Sequence, residues 1–222
     1  MSVTSSSAFR TSSSGATAAN RPSLQVTYTV PPPDASPTGT ITINNGAAYT
    51  NSATVTLTLS ASDDSGTVSQ MQFANESSAY STPESYATTK SWMLSTGQGA
   101  KTVSVKFNDP AGHWSTPKTA SITLDTAAPT ITSVTASPSA KPSIGRATTI
   151  SVTATDATSL SYQVTRGATV LCAWSSSASC TWTPTAADAG RQPLDAQARD
   201  AASNLSAKSS VTVYVTHQPV TP

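Results

Sequence analysis

The stretch that decides the fold is Lys101–Pro129, KTVSVKFNDPAGHWSTPKTASITLDTAAP. From Val103 to Phe107 apolar residues alternate with polar ones, which is the period of a half-buried β-strand. Residues 109–112, Asp-Pro-Ala-Gly, have the composition of a turn. A second alternating run ends at Leu124. The stretch therefore predicts two antiparallel strands followed by a short linker that ends in proline.

The composition of the whole chain favours an all-β protein. Hydrophobic residues make up 36% and charged residues only 10% of the 222 positions. Glutamate, which is common in helices, occurs only at Glu76 and Glu84. Ser, Thr, Ala and Pro take the place of the missing charge, and Thr and Val suit a pleated surface.

Charge and hydropathy exclude several classes of partner. The formal net charge is +1 without a basic block, so no nucleic acid or anionic membrane is expected as a partner. No apolar run is long enough to span a membrane. The opening residues MSVTSSSAFR lack the apolar core of a signal peptide, and we expect the chain to be a piece of a longer molecule.

Turn residues divide residues 38–126 into regularly spaced strands, which predicts an antiparallel sandwich. The expected strands are Thr40–Ile43, Ala53–Ala61, Val68–Asn75, Tyr86–Leu94, Lys101–Asn108 and Thr119–Leu124.

Residues 127–222 repeat this organisation. Asp63 corresponds to Asp156 and Asp109 to Asp200 at nearly equal offsets, which indicates duplication of a whole domain. Pro193 predicts an edge position or an irregular start of its strand. The expected strands are Ile131–Ala136, Thr148–Thr155, Leu160–Thr165, Thr169–Trp174, Cys180–Thr183, Leu194–Arg199 and Ser209–Val215.

Residues 1–37 form a Ser/Thr-rich segment, one strand at Leu24–Val30 and a Pro-rich linker. The sequence FRTSSSGATAANRPSLQVTYT, residues 9–29, resembles the closing strand of the DNRLRE family of extracellular β-sandwich modules, some of which bind polysaccharide. The likeness is carried by Asn20-Arg21-Pro22 and Val26-Thr27-Tyr28. It covers only the last strand of that family, so no sugar site is implied here.

The first sandwich resembles the bacterial immunoglobulin-like repeats of surface and secreted proteins. The resemblance lies in LTLSASDDSGTVSQMQFANE (57–76), YATTKSWMLSTGQGAKTVSVKFNDPAGHWS (86–115) and ITLDTAAP (122–129). Pro110 and His113 depart from it, because the family usually has Ala and Asn there. The resemblance implies two tandem immunoglobulin-like antiparallel β-sandwiches, preceded by an extended strand and linker.

No motif of catalysis is present. The two histidines, His113 and His217, lie about a domain apart, and neither HExxH, GxSxG nor GxxxxGK[ST] occurs. We expect no enzyme activity.

The four tryptophans allow two interpretations. Large aromatics fill the core of a small sandwich, and exposed rings would stack on glycans. The residues concerned are Trp92, Trp114, Trp174 and Trp182.

Cys172 and Cys180 are the only cysteines, and they flank a small polar loop in LCAWSSSASCTW. Two strands joined by such a loop would place them opposite one another across a hairpin, which predicts a disulfide and an oxidising compartment. A free thiol or a metal site is the weaker alternative, because a metal would require more Cys or His nearby.

Aspartates recur at the pole where the chain enters each sandwich. In an immunoglobulin-like sandwich the entering linker, the B–C loop and the F–G loop meet at that pole, and here each of them carries Asp. Like charges brought together repel unless a cation neutralises them, and related bacterial arrays carry calcium at such junctions. The resemblance therefore implies Ca²⁺ at both entrances, whereas Asp otherwise serves as a turn cap. The candidate ligands are Asp34, Asp63, Asp64, Asp109, Asp125, Asp156 and Asp200.

The sequence thus predicts a non-catalytic spacer of a secreted or cell-surface bacterial protein, either structural or adhesive, whose partners are the neighbouring domains of the same protein. One alternative is a carbohydrate-binding accessory region of a secreted enzyme. Another is an extracellular filament subunit, in which residues 24–30 would add a strand to the sheet of a neighbour.

Overall fold

The computed structural model describes residue 28, residues 33–77 and residues 79–217. Nearly all regular structure in this part of the chain is β-strand, with short 3-10 turns at Asn44–Gly46 and Ala186–Asp188. The strands are β1 (Thr38–Ile43), β2 (Tyr49–Thr50), β3 (Thr54–Ser62), β4 (Gln70–Asn75), β5 (Glu84–Ser85), β6 (Thr89–Met93), β7 (Gly99–Asn108), β8 (Lys118–Leu124), β9 (Thr130–Ser137), β10 (Thr148–Thr155), β11 (Ser161–Arg166), β12 (Thr169–Ser175), β13 (Ser179–Trp182), β14 (Gly190–Arg199) and β15 (Ser209–Val215).

Strands β1–β8 form the first sandwich. One sheet has the order β1-β3-β6 and the other β2-β8-β7-β4-β5. Neighbouring strands are antiparallel apart from the short parallel pair β2 and β8. The alternation that begins at Val103 places Val103, Val105 and Phe107 at 0% exposure between the sheets, where they pack with Leu57 and Phe73.

Strands β9–β15 form the second sandwich, with sheets β13-β10-β9 and β12-β11-β14-β15. Its core includes Ile150, Leu194 and Val213, each at 0% exposure, and the buried Trp182. No sheet of the described residues combines strands from the two halves of the chain. The all-β class and the tandem immunoglobulin-like sandwiches are therefore confirmed.

The structure adds two strands that the sequence did not predict, β2 and β5, each of two residues. An alternating pattern cannot appear in so short a strand. The predicted run Tyr86–Leu94 is also too long, because β6 begins only at Thr89.

Pro193 lies inside β14, which begins four residues earlier than expected, at Gly190. The part of β14 around Pro193 pairs with β15, whereas β11 pairs only with residues 195–199. On the side of β11, this part of β14 is therefore an edge. A proline fits there because no neighbouring strand needs the N–H that proline lacks.

The predicted strand at Leu24–Val30 and the segment that resembles the DNRLRE family lie outside the described residues, apart from the exposed Tyr28. Among the residues that the structure describes, there is no helix with the length and apolar character needed to cross a membrane.

Candidate metal sites at the two domain entrances

The second entrance is defined here as Asp125, Asp156, Asp200 and Asn204. Each aspartate is the first residue after a strand: Asp125 follows β8, Asp156 follows β10 and Asp200 follows β14. One carboxylate oxygen from each of the three lies within 4.8 Å of the others. The structure thus brings together three of the residues that the sequence singled out.

Local hydrogen bonds hold the three carboxylates in place. Oδ1 of Asp200 accepts from the backbone N–H of Asn204 at 2.7 Å, and its Oδ2 accepts from Nδ2 of Asn204, also at 2.7 Å. Oδ1 of Asp156 accepts from the N–H and the hydroxyl of Thr158 at 2.8 and 2.9 Å. Both aspartates therefore cap their turns, and Oδ2 of Asp156 takes no part in these bonds.

Turn capping accounts for only one of the two carboxylate oxygens of Asp125. It is only 6% exposed. Its Oδ1 accepts from the N–H of Ala127 at 3.0 Å, but its buried Oδ2 has no hydrogen-bond partner. Leaving a buried charged acceptor unsatisfied costs free energy. None of the ion pairs among the described residues involves these three aspartates. A bound cation would satisfy the orphaned oxygen.

The first entrance is defined as Asp34, Asp63, Asp64, Asp109 and His113. Oxygens of Asp34, Asp63 and Asp64 lie within 4.8 Å of one another. The backbone N–H of Ala35 donates to both oxygens of Asp64 at 3.3 Å. This contact ties the entering segment to the loop after β3.

Asp63 resembles Asp125 in having one oxygen in use and one without a partner. Its Oδ2 accepts hydrogen bonds from the backbone N–H of Ser65, at 3.0 Å, and from the Ser65 hydroxyl. Its Oδ1 is buried and has no hydrogen-bond partner.

A second group at the first entrance contains a histidine. Ligand atoms of Asp34, Asp109 and His113 lie within 4.8 Å of one another. Nδ1 of His113 is 3.1 Å from Oδ2 of Asp109 and 3.5 Å from Oδ2 of Asp34. The side chain of Asp109 has no exposed surface, whereas 45% of the His113 side chain is exposed.

The pKa values of the two carboxyls shift in opposite directions. Desolvation raises the pKa of Asp34, and the charges of Asp109, Asp64 and Asp63 raise it further against the opposing effect of His113. Desolvation would also raise the pKa of Asp109. Hydrogen bonds from the backbone N–H and the ring of His113 and from the N–H of Gly112 outweigh it, so the pKa of Asp109 is lowered. Of these two carboxyls, Asp34 is therefore the one whose ionised form is disfavoured in the folded chain.

The loops after β7 and β14 have the same construction. Oδ1 of Asp109 accepts from the backbone N–H of His113 at 2.9 Å, as Oδ1 of Asp200 does from Asn204. Beyond the loop, Nδ2 of Asn204 donates to the backbone carbonyl of Asp125 at 2.8 Å. Sequence reasoning did not assign Asn204 or His113 to the entrances. The signal was present in the equal spacing Asp109…His113 and Asp200…Asn204.

Three of the four tryptophans pack against the core or lie under an arginine side chain. Trp92 packs on Phe73 at 5.2 Å between ring centroids and donates to Oδ1 of Asn75 at 2.7 Å. The guanidinium of Arg199 lies 4.7 Å from the centre of the Trp174 ring.

Trp182 is buried, with Arg166 at 5.8 Å from the centre of its ring. Trp114 is half-buried and forms an isolated bridge with Asn108. Glycan stacking by any of the four remains a prediction.

Cys172 and Cys180 form a disulfide. The expected hairpin is wrong, because Cys172 lies in β12 of the four-stranded sheet and Cys180 in β13 of the three-stranded sheet. The chain crosses between the sheets at this point, and the disulfide joins one sheet to the other. Alternation within each strand could not reveal this, because it does not tell which sheet a strand joins.

Comparisons with known proteins give the fold alone. No family model and no curated protein matches the chain. Among solved structures, fibronectin(III)-like modules of Clostridium thermocellum CbhA align with 82% of this chain and 97% of their own length, at 16% identity and a TM-score of 0.54. The FN1–FN3 domains of chicken CNTN1 align with 90% of this chain and 75% of their own length, at 15% identity and a TM-score of 0.50. Both similarities support tandem sandwiches of the fibronectin-III and immunoglobulin-like type.

Proposed function

We propose that this chain is a non-catalytic spacer from a secreted or cell-surface bacterial protein, and that calcium stiffens the junction between its two sandwiches. The observation that carries the proposal is the buried Oδ2 of Asp125, which has no partner and lies beside the carboxylates of Asp156 and Asp200.

The donor set of the second entrance fits calcium. Ca²⁺ is a hard cation that takes six to eight oxygen ligands from carboxylates, backbone carbonyls and waters. Asp125, Asp156 and Asp200 supply carboxylate oxygens from three separate segments. When bound, the ion would supply the positive charge that no Lys, Arg or His of the described residues contributes here.

The position of Asp125 allows a cation at this entrance to join the linking segment to the second sandwich. Asp125 follows the last strand of the first sandwich, whereas Asp156 and Asp200 follow strands of the second. A cation held by all three would fix the linking segment against the second sandwich. The structure already contains one such contact, from Asn204 to the Asp125 carbonyl.

The first entrance offers an oxygen-only group of the same kind, Asp34, Asp63 and Asp64. Calcium at this pole would hold the segment before β1 against the loop after β3.

An extracellular location is supported by the disulfide, since such bonds form and persist in oxidising compartments.

The test is thermal unfolding of the whole chain with calcium and with chelator, for the parent, Asp125→Asn and the matched control Asp195→Asn. Asp195 lies on β14 and bonds Ser210, so it stands outside the entrance groups. At a hundred times the dissociation constant a ligand stabilises the folded state by about 2.7 kcal/mol. We expect calcium to raise the Tm of the second sandwich in the parent and in Asp195→Asn. In Asp125→Asn we expect calcium to leave the Tm of the second sandwich unchanged. A parent with the same Tm in millimolar calcium and in chelator would contradict the proposal.

A further inference from the structure

One chemical difference between the two entrances lies at an equivalent position, which is His113 in the first and Asn204 in the second. Both residues bond the preceding aspartate with the backbone N–H and with the side chain. Their next contacts differ. Nδ2 of Asn204 donates to a backbone carbonyl of the linker, whereas Nδ1 of His113 faces the carboxylate of Asp34 at 3.5 Å.

This difference changes which ions the entrance can bind. The amide nitrogen of Asn204 is only a donor, so it can orient Asp200 but cannot ligate through that atom. In the tautomer protonated at Nε2, Nδ1 of His113 presents a lone pair, and a metal bound there would replace the hydrogen bond between this nitrogen and Asp109. Imidazole nitrogen suits zinc, copper, iron and nickel, whereas calcium takes oxygen. The first entrance therefore combines a borderline nitrogen ligand with the carboxylates of Asp34 and Asp109.

The separations match those between the ligands of a small divalent ion. Bonds of about 2.0–2.2 Å from zinc to nitrogen or oxygen place tetrahedral ligand atoms about 3.3–3.6 Å apart. Nδ1 of His113 is 3.1 Å from Oδ2 of Asp109 and 3.5 Å from Oδ2 of Asp34. The carboxylate oxygens that Asp34 and Asp109 offer lie within 4.8 Å of one another.

A separate observation at the same pole also points to a bound cation. Oδ1 of Asp63 is buried and has no hydrogen-bond partner. Asp63 is grouped with Asp34 and Asp64, and Asp34 also belongs to the group that contains His113. Among the described residues, no Lys or Arg pairs with any of the four carboxylates at this entrance.

We propose that the first entrance binds a borderline divalent transition-metal ion of the zinc class through Nδ1 of His113 and the carboxylates of Asp109 and Asp34. Asp63, whose Oδ1 has no hydrogen-bond partner, is grouped with Asp34 and so adjoins this set through that residue. The first entrance would then have a nitrogen-containing set for zinc beside its oxygen-only group, whereas the second entrance offers oxygen ligands alone. The inference does not depend on calcium binding at the second entrance.

The test is calorimetric titration of the chelator-treated whole chain with zinc chloride, in the presence of millimolar calcium. His113→Asn is the informative variant, because it gives the first entrance the side chain that the second already has. His217→Asn is the matched control, since it removes the only other histidine. We expect one zinc site in the parent and in His217→Asn. In His113→Asn we expect zinc affinity to fall by about tenfold or more, since even changes outside the ligand shell cost roughly 10–100-fold.

Cobalt provides a second readout that does not depend on stability. Co²⁺ in place of zinc should give a visible ligand-field spectrum in the parent, and His113→Asn should change or abolish it while its circular dichroism stays that of the parent. Failure of the parent to bind zinc would overturn the inference, as would equal zinc affinity in parent and His113→Asn. Zinc binding lost only in His217→Asn would also overturn it. A chelator-dependent Tm that responds to calcium alone would leave the calcium proposal standing and remove this one.

Discussion

Asn204 connects two segments that are 79 residues apart in sequence. Its Nδ2 donates at 2.8 Å to the backbone carbonyl of Asp125, in the linker between the sandwiches, and at 2.7 Å to Oδ2 of Asp200, in the loop after β14. One side-chain amide therefore orients a candidate calcium ligand and holds the linker against the second sandwich.

Replacing this amide should destabilise the second sandwich. Asn204→Ala removes a hydrogen bond to a carboxylate and one to a buried linker carbonyl, and such bonds contribute about 1–3 kcal/mol each. We expect the free energy of unfolding of the second sandwich to fall by about 2–4 kcal/mol and its calcium-induced rise in Tm to shrink. Calorimetry of the whole chain measures both, with Asn51→Ala, an exposed residue outside the entrances, as the control. Unchanged unfolding in Asn204→Ala would show that the linker contact carries no stability.

The disulfide between β12 and β13 predicts a change confined to one sandwich. The cysteines are separated by 8 positions, and for a loop of this size the chain-entropy model gives about 2.5 kcal/mol of stabilisation. The paired variant Cys172→Ala with Cys180→Ala should lower the Tm of the second sandwich. The first sandwich contains no cysteine and serves as the internal control. Equal shifts of both transitions would mean that the sandwiches unfold as one unit.

Much of this fold was predictable because its strands obey a simple rule. In β3 and β7 every second side chain enters the core, so alternation from Val55 to Leu59 and from Val103 to Phe107 gave the strands and their inner faces. Alternation does not say which strands pair. For that reason the hairpin expected around Cys172 was wrong, and the two-residue strands could not be predicted at all.

The aspartates of the entrances were predictable from topology, because residues that directly follow strands at one pole of a sandwich lie close together. Asp125, Asp156 and Asp200 are such residues. The roles of His113 and Asn204 were not predictable in this way. They depend on which rotamer a loop side chain adopts and on the backbone carbonyl or carboxylate that it meets, and no sequence period encodes these contacts.

Gly39 in β1 should be intolerant of any side chain. A Cβ at this position would lie 2.5 Å from Cε2 of Phe107 and 2.6 Å from the carbonyl oxygen of Ser60. Phe107 is fully buried and Ser60 is backbone-paired in β3, so neither can withdraw easily. Gly39→Ala should destabilise the first sandwich by about 1–3 kcal/mol, the usual cost of overpacking.

The matched control for this change is Gly46→Ala. Gly46 has a φ of +84° and open space around its Cβ position, so only the backbone preference is tested, at about 1–2 kcal/mol. Urea unfolding compares the two variants. A smaller loss in Gly39→Ala than in Gly46→Ala would show that β1 shifts to relieve the contact.

Asp34→Asn should have opposite effects with and without a bound cation. Desolvation and the charges of Asp109, Asp64 and Asp63 raise the pKa of Asp34 in the folded chain. A carboxyl whose pKa is raised on folding binds its proton more tightly in the native state, so its contribution to stability falls as pH rises from the ordinary value of 3.8 through the folded value. Above that window the ionised Asp34 destabilises the fold by a constant amount.

Removing the charge removes this penalty, so in chelator at pH 7 Asp34→Asn should have a higher Tm than the parent. The difference should vanish in acid, where Asp34 is protonated in both the folded and the unfolded chain.

Asp109→Asn should behave in the opposite way in chelator, because the lowered pKa of Asp109 stabilises the fold at neutral pH and that contribution is lost as pH falls through the folded pKa. With zinc or calcium present, Asp34→Asn should lose the cation-induced rise in Tm of the first sandwich, since Asp34 belongs to both ligand groups there. A Tm below that of the parent in chelator at pH 7 would mean that Asp34 stabilises the entrance without a cation, and the repulsion argument would fail.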